Sequence, residues 1–183
     1  MNTSLGSHEA ANVVSSRGLA AGQDGAHTLQ GGEFLTFRLG TEEYCVDILL
    51  VQEIRSYEQP TRIANAPPYI KGVMNLRGVI VPIIDLRMKL GCENVLYNHM
   101  TGVIVLNVRN RVVGAVVDSV SDVLALASES IQPAPKLNTS VDTRFIKGIC
   151  SVSLADVERM LIVVDIDGLV GVEEMGLTES ECV

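Results

Sequence analysis

Three histidines, four cysteines and 22 carboxylates are the groups this chain of 183 residues offers for catalysis or metal binding, and their spacing rules most of that chemistry out. His8 and His27 stand in an opening stretch rich in Gly, Ser, Ala and Asn, which leaves His99 as the one imidazole of the expected folded part. A Ser-His-Asp relay needs a base held beside its nucleophile, and no G-x-S-x-G elbow is present. Cys45, Cys92, Cys150 and Cys182 form no C-x-x-C pair and read as free thiols, and Cys150 has no basic neighbour to make it a nucleophile. Asp165-Ile166-Asp167-Gly168 has the opening of a calcium loop, but the twelfth position, which must supply a bidentate acid, is Gly176. Neither pattern of a phosphate-binding glycine loop occurs. The reading is a protein with no catalytic residue, no metal and no cofactor.

What remains is one arginine. The stretch 71–86, K-G-V-M-N-L-R-G-V-I-V-P-I-I-D-L, sets Arg77 between two apolar runs, with Gly72 and Gly78 permitting tight backbone on either side. Asn75, Leu76 and Arg77 then form a short ledge joining two strands. Its guanidinium either makes bidentate bonds to a partner or pairs within the chain with Glu53 or Asp85. Glu53 taken alone reads as a solvated strand charge, and Asp85 and Asp165, each closing an apolar strand, read as caps. Val51, Ile54, Met74, Leu76 and Val79 are more apolar residues than one small barrel half hides near a single edge. Rimmed by Arg77 and Glu53, they have the anatomy of a protein interface.

The elements that must position this ledge are strands. The chain is 47% hydrophobic with no Trp and only seven other aromatics, so its core is built from Val, Ile and Leu. A net charge of -8 opposes nucleic-acid binding, which needs clustered cations. Apolar runs are broken well short of the roughly 20 residues a spanning helix needs, so a cytoplasmic protein is expected. Residues 1–31 read as a disordered tail. Strands are expected at 34–39, 44–48, 49–55, 79–84, 120–126 and 160–166, with a hairpin of 102–108 and 111–117 turning at Arg109-Asn110. Pro82 inside its strand predicts an edge position or a bulge. A terminal helix is expected at about 168–178.

The second half repeats the first. Tyr69-Ile70-Lys71-Gly72-Val73 matches Phe145-Ile146-Lys147-Gly148-Ile149, Val51-Gln52-Glu53-Ile54 echoes Val120-Ser121-Asp122-Val123, and Ile83-Ile84-Asp85-Leu86 echoes Val163-Val164-Asp165-Ile166. Three matches in one order imply a duplicated barrel whose halves share a buried interface. The ledge itself has no counterpart in the second copy, where Cys150-Ser151-Val152 follows the Ile-Lys-Gly run.

The segments E-F-L-T-F-R-L-G-T-E-E-Y, D-I-L-L-V-Q-E-I-R, I-K-G-V-M-N-L-R-G-V-I-V-P-I-I-D-L-R, R-V-V-G-A-V-V-D-S-V-S-D-V-L and R-M-L-I-V-V-D-I together resemble the CheW family of chemotaxis coupling proteins, over about residues 33–177. The resemblance implies a mainly β fold of two SH3-like five-stranded barrels sharing a core, with short helices and a C-terminal helix. It implies a CheW-like domain at 32–178, with lobe one at about 32–98 and lobe two at about 101–172. It further implies a non-enzymatic cytoplasmic adaptor, recruited to arrays at the inner face of the membrane, which couples methyl-accepting chemotaxis receptors to the regulatory domain of the chemotaxis histidine kinase. Carried onto matching positions, it puts receptor contact at Glu53, Ile54, Asn75, Leu76 and Arg77. Kinase contact falls at Val51, Arg55, Tyr57, Arg62 and Ile63, with a second kinase-facing surface on the other lobe. The runner-up reading is a small-barrel regulator or enzyme acting on a soluble ligand.

Overall fold

The computed structural model describes residues 30–135 and 143–171. The expected disordered tail, apart from its last two residues, and most of the expected terminal helix lie outside the described residues.

Eleven strands are described: β1 (Gly32–Leu39), β2 (Glu42–Asp47), β3 (Val51–Ser56), β4 (Ile70–Leu76), β5 (Val79–Asp85), β6 (Gly102–Val108), β7 (Arg111–Val117), β8 (Ser119–Leu126), β9 (Ile131–Gln132), β10 (Ile146–Leu154) and β11 (Val157–Val164). Two single-turn helices, α1 (Leu86–Lys89) and α2 (Ile166–Leu169), follow β5 and β11. The strand expected at 49–55 begins later, because Ile48–Leu50 forms a 3₁₀ turn in which Asp47 accepts from the Leu49 amide. The β6–β7 hairpin turns on Arg109 and Asn110, both at positive φ, as the asparagine at its tip predicted.

The strands make two sheets, ordered β3-β6-β7-β5-β4 and β8-β1-β2-β11-β10-β9. In the first, Leu76, Val81, Ile83, Val103, Val105 and Val116 from four strands meet in one apolar cluster, so the sheet curls on itself. The second does the same around Phe34, Cys45, Leu126, Ile131, Cys150, Leu161 and Val163. Between the sheets lies the largest cluster, with Leu35, Phe37, Leu39 and Val46 from one sheet against Ile84, Ile104, Leu106 and Ala115 from the other. Two small barrels on a shared core is therefore the architecture.

The repeat extends to some of its irregularities. Each Ile-Lys-Gly run carries a bulge, at Ile70/Gly72 and at Ile146/Gly148. Each aspartate that ends the fifth strand donates its backbone N–H to the aromatic carbonyl that opens the run, Asp85 to Tyr69 at 2.7 Å and Asp165 to Phe145 at 2.8 Å.

The sheets, however, are not the sequence halves. The contiguous lobes expected at about 32–98 and 101–172 are corrected by the pairing: β1 and β2, from the first half, lie in the sheet with β8, β10 and β11, and the β6–β7 hairpin lies with β3, β4 and β5. Parallel pairing of β2 with β11 and of β7 with β5 locks each exchanged hairpin in place. The 3₁₀ turn at Ile48–Leu50 is where the chain passes from β2 in the second sheet to β3 in the first.

Pro82 lies in β5, between β7 and β4, and not at an edge. Its opposite residue, Val73, turns both its amide and its carbonyl toward Thr61, at 2.8 and 3.0 Å, and asks no hydrogen bond of the proline. On the other side, pairing with β7 begins only at Ile83.

Candidate functional site

The ledge is the tip of the β4–β5 hairpin. Arg77 and Gly78 are its two turn residues, at φ 54° and 88°, and the Asn75 carboxamide oxygen accepts from the Gly78 amide at 2.7 Å. Asn75 thus holds the turn closed, and Leu76 is buried in the barrel core. Both were expected at the receptor contact. In the structure the exposed Asn75 closes the turn that carries Arg77, and Leu76 packs beneath it.

Arg77 reaches across the mouth of the first barrel. β3 and β4 are the two edges of the curled sheet, and the Arg77 Nη2–Glu53 Oε2 bond of 2.9 Å spans them. Of the two partners weighed for Arg77, Glu53 is the one it takes. The pair is unequal: the arginine side chain is 83% exposed and the glutamate 25%. Arg55 Nη1 approaches the other oxygen of Glu53 at 3.5 Å, so a residue expected to face the kinase belongs to the same network as two expected to face the receptor.

Beneath the clasp runs a groove of about 210 Å³ lined by Gln52, Glu53, Leu76, Arg77, Val79, Val81, Val105 and Val112. It opens at the mouth of one barrel. Ile54, 49% exposed, sits on the opposite face of β3, paired with Ile104, and extends the apolar surface around the edge together with the exposed Val79 and Ile80. Val51 packs against the shared core.

The remaining residues expected at the kinase form a second surface. Tyr57 stacks on Tyr97 with ring centroids 4.6 Å apart, and these two line a groove with Gln59, Pro60, Arg62 and Lys71. Arg62 and Ile63 continue into an adjoining groove that includes Pro67, Pro68 and Ile70. Gly72 fixes this connection against β4: its φ is 138°, and a Cβ there would collide with the Thr61 carbonyl.

Under the tyrosines lies a buried cluster that the sequence reading missed. Arg87 is 1% exposed and grips Asp85 through Nε–Oδ1 at 3.0 Å and Nη2–Oδ2 at 2.8 Å, while Nη1 donates to Asp118 and to the Leu96 carbonyl, each at 2.7 Å. Tyr97 Oη donates to Asp85 at 2.7 Å, and its ring lies 4.6 Å from the Arg87 guanidinium. Burial works against the charge on Arg87, but the bonds to Asp85 and Asp118 outweigh it and raise its pKa. Burial, then the Asp85 bond, raises the Tyr97 hydroxyl, and burial raises that of Tyr57. Asp85 also caps α1, as expected, by accepting from the Arg87 amide at 3.0 Å. Asp165 makes no such cap and instead lies 3.7 Å from Lys147. The signal was a break in the repeat, since Asp85-Leu86-Arg87 is answered by Asp165-Ile166-Asp167.

A cavity of about 520 Å³ lies elsewhere, between the second sheet and the β6–β7 turn. Four of its five charged residues pair with one another, Arg109 with Asp167 at 3.2 Å and Lys147 with Asp165 at 3.7 Å, and the fifth, Asp47, accepts from the Leu49 amide. Among the described residues no group of three or more His, Cys, Asp or Glu is placed to hold a metal ion, and no helix is long and apolar enough to cross a membrane.

Fused curled sheets that present a clasped apolar groove at one barrel mouth define a small-barrel binding module. Residues 33–174 match the family model described as the CheW-like domain, and the chain belongs to that family. It is 55% identical to the chemotaxis protein CheW of Klebsiella aerogenes over 163 residues, 89% of this chain and 96% of the relative. It is 38% identical to a probable chemotaxis protein CheW of Rhizobium etli over 81% of this chain and 90% of that one. The crystal structure of the scaffolding protein TtCheW from Thermoanaerobacter tengcongensis superposes with a TM-score of 0.70 at 30% identity, covering 79% of this chain and 96% of its own. The chain is a chemotaxis adaptor.

Proposed function

We propose that this adaptor joins the cytoplasmic tips of methyl-accepting chemotaxis receptors to the regulatory domain of the chemotaxis histidine kinase, by non-covalent binding alone. It does so in arrays at the inner face of the membrane. The observation that carries the reading is the Glu53–Arg77 clasp over an apolar groove, with the arginine side chain left 83% exposed for a docking helix to use. An apolar side chain of a receptor helix seats among Val79, Val81 and Val112, Ile54 takes the neighbouring turn, and the exposed guanidinium fixes the register. The kinase meets Val51, Arg55, Tyr57, Arg62 and Ile63, where the stacked tyrosines offer a rigid face between cations. Each contact is of standard size or smaller, about 800 Å² per partner. Avidity across an array strengthens modest affinities without new contacts and leaves the kinase free to change state.

Co-sedimentation tests this. The native chain is expected to pellet with receptor-bearing membranes and to carry the kinase down. Arg77→Glu should lose the membranes while still capturing kinase in solution, and Tyr57→Ala should do the reverse. If either variant loses both partners while its circular dichroism is unchanged, the two surfaces are not separate and the assignment fails.

A further inference from the structure

The two barrels carry the same mouth, and only the first is open. Asp122 occupies the register of Glu53: each stands on a bulged edge strand, one residue before the residue paired with Leu35 or Ile104. Counting back from Asp165 and Asp85 places Arg159 at the register of Val79. The parallel pairs place Glu43 at that of Val112, and the β1–β2 and β6–β7 registers place Thr36 at that of Val105. Three valines that line the first groove are thus answered by arginine, glutamate and threonine.

Arg159 binds both Glu43 and Asp122, and Thr36 binds the Asp122 backbone. Arg159 holds Glu43 through Nε–Oε2 at 2.8 Å and Nη2–Oε1 at 3.0 Å, and reaches Asp122 Oδ2 through Nη1 at 3.2 Å. The Thr36 hydroxyl bonds both the carbonyl and the amide of Asp122 at 3.0 Å. The Arg159 side chain is only 19% exposed, so the guanidinium lies in the mouth and does not project from it. The second hairpin is also two residues longer on each strand. Its turn, Ala155-Asp156, therefore lies beyond the register of Arg77-Gly78.

We infer that the Glu43–Arg159–Asp122 triad plugs the second barrel's copy of the docking groove, so that each adaptor presents one receptor site and not two. The inference rests on the receptor reading of the first groove. An apolar side chain entering the second mouth must break three charge-assisted bonds and leave charges without partners, which is discrimination by an unfavourable alternative. The duplicated fold would otherwise offer two equivalent mouths. Single valency lets one face hold a receptor while the other barrel meets a different protein.

The test restores the first barrel's residues to the second. A helical hairpin with the receptor-tip sequence is titrated calorimetrically into the native chain, into V79E, which blocks the first groove, and into V79E carrying E43V and R159V. One hairpin per native chain, a drop of at least about tenfold for V79E and recovery in the triple variant support the plug. A folded triple variant that stays unbound overturns it. A second readout needs no receptor: E43V/R159V with native circular dichroism should bind a hydrophobic dye more strongly than the native chain, and an unchanged dye signal overturns the plug. R159M, which keeps the aliphatic stem and removes the head, serves for both readouts if the double variant does not fold. If the native chain binds no hairpin, the receptor reading fails, and the dye measurement then decides the plug by itself.

Discussion

Two arginines in one lobe show how differently the same side chain behaves by location. Arg77 is exposed, and its pair with Glu53 is worth at most about 1 kcal/mol. Arg77→Ala is therefore expected to leave the thermal midpoint within a few degrees of native while receptor-dependent kinase activation falls; a large drop in midpoint would make the clasp structural. Arg87 is the opposite case. Removing it strands Asp85 without its counter-ion inside the fold, so Arg87→Ala should cost about 3–5 kcal/mol, read as a shifted denaturant midpoint. Titration gives another residue-scale prediction. Burial pushes the Tyr44 hydroxyl and the Cys45 thiol up to about 12, from ordinary values of 10.0 and 9.0. Above about pH 9 the unfolded chain loses these protons while the folded chain keeps them, so stability present below that pH is lost as pH rises toward about 12. Thermal melts should show the midpoint falling through that window, and a flat profile would mean neither group is shielded. On the acid side the bond from Arg159 holds the Glu43 carboxyl below its ordinary 4.5, so its contribution is present above that value and lost as pH falls below it.

At the scale of elements, the β4–β5 hairpin was the part most readable from sequence and the part most easily misjudged. Gly72, Gly78 and the apolar runs marked its strands and turn, because both glycines sit at positive φ, 138° and 88°, where a side chain is disfavoured. That Asn75 closes the turn and that Leu76 is buried were not legible, since both depend on the strand register. The same holds for Pro82: its missing N–H is harmless because Val73 bonds Thr61, a fact of tertiary pairing that no local pattern contains. Gly72→Val tests how firmly the 57–69 connection is tied to β4. The side chain has no room beside the Thr61 carbonyl, so the Thr61–Val73 bridge should break. Hydrogen exchange at the Thr61 and Val73 amides should rise, and kinase capture should weaken before receptor capture does. If exchange there stays slow, the connection is held by something other than this close approach.

Across the whole molecule, duplication was legible and exchange was not. Sequence similarity records which segments descend from one another, and that is why Ile-Lys-Gly, the bulges and the Asp-ended strands all fall at matching places. It carries no information on whether a hairpin packs with its own copy or the other, because both arrangements satisfy the same alternation of apolar residues. The chain passes from one sheet to the other at the Ile48–Leu50 turn, whose three residues would equally suit a hairpin within one sheet. The plugged mouth was hidden for a related reason: Arg159, Glu43 and Asp122 come together from three strands far apart in the chain. Exchange makes a specific demand on folding. A chain cut between residues 99 and 100 yields one fragment with β1–β5 and another with β6–β11, each lacking the hairpin that completes its sheet. Neither fragment can bury the cluster that takes residues from both sheets, so each alone should lack a cooperative melt and show weak β circular dichroism. Mixed in equal amounts, they should regain the native spectrum and bind receptor and kinase as the intact chain does. Cooperative unfolding by either fragment alone would show that a hairpin can serve its own half, and that the exchange is not what holds the two barrels together.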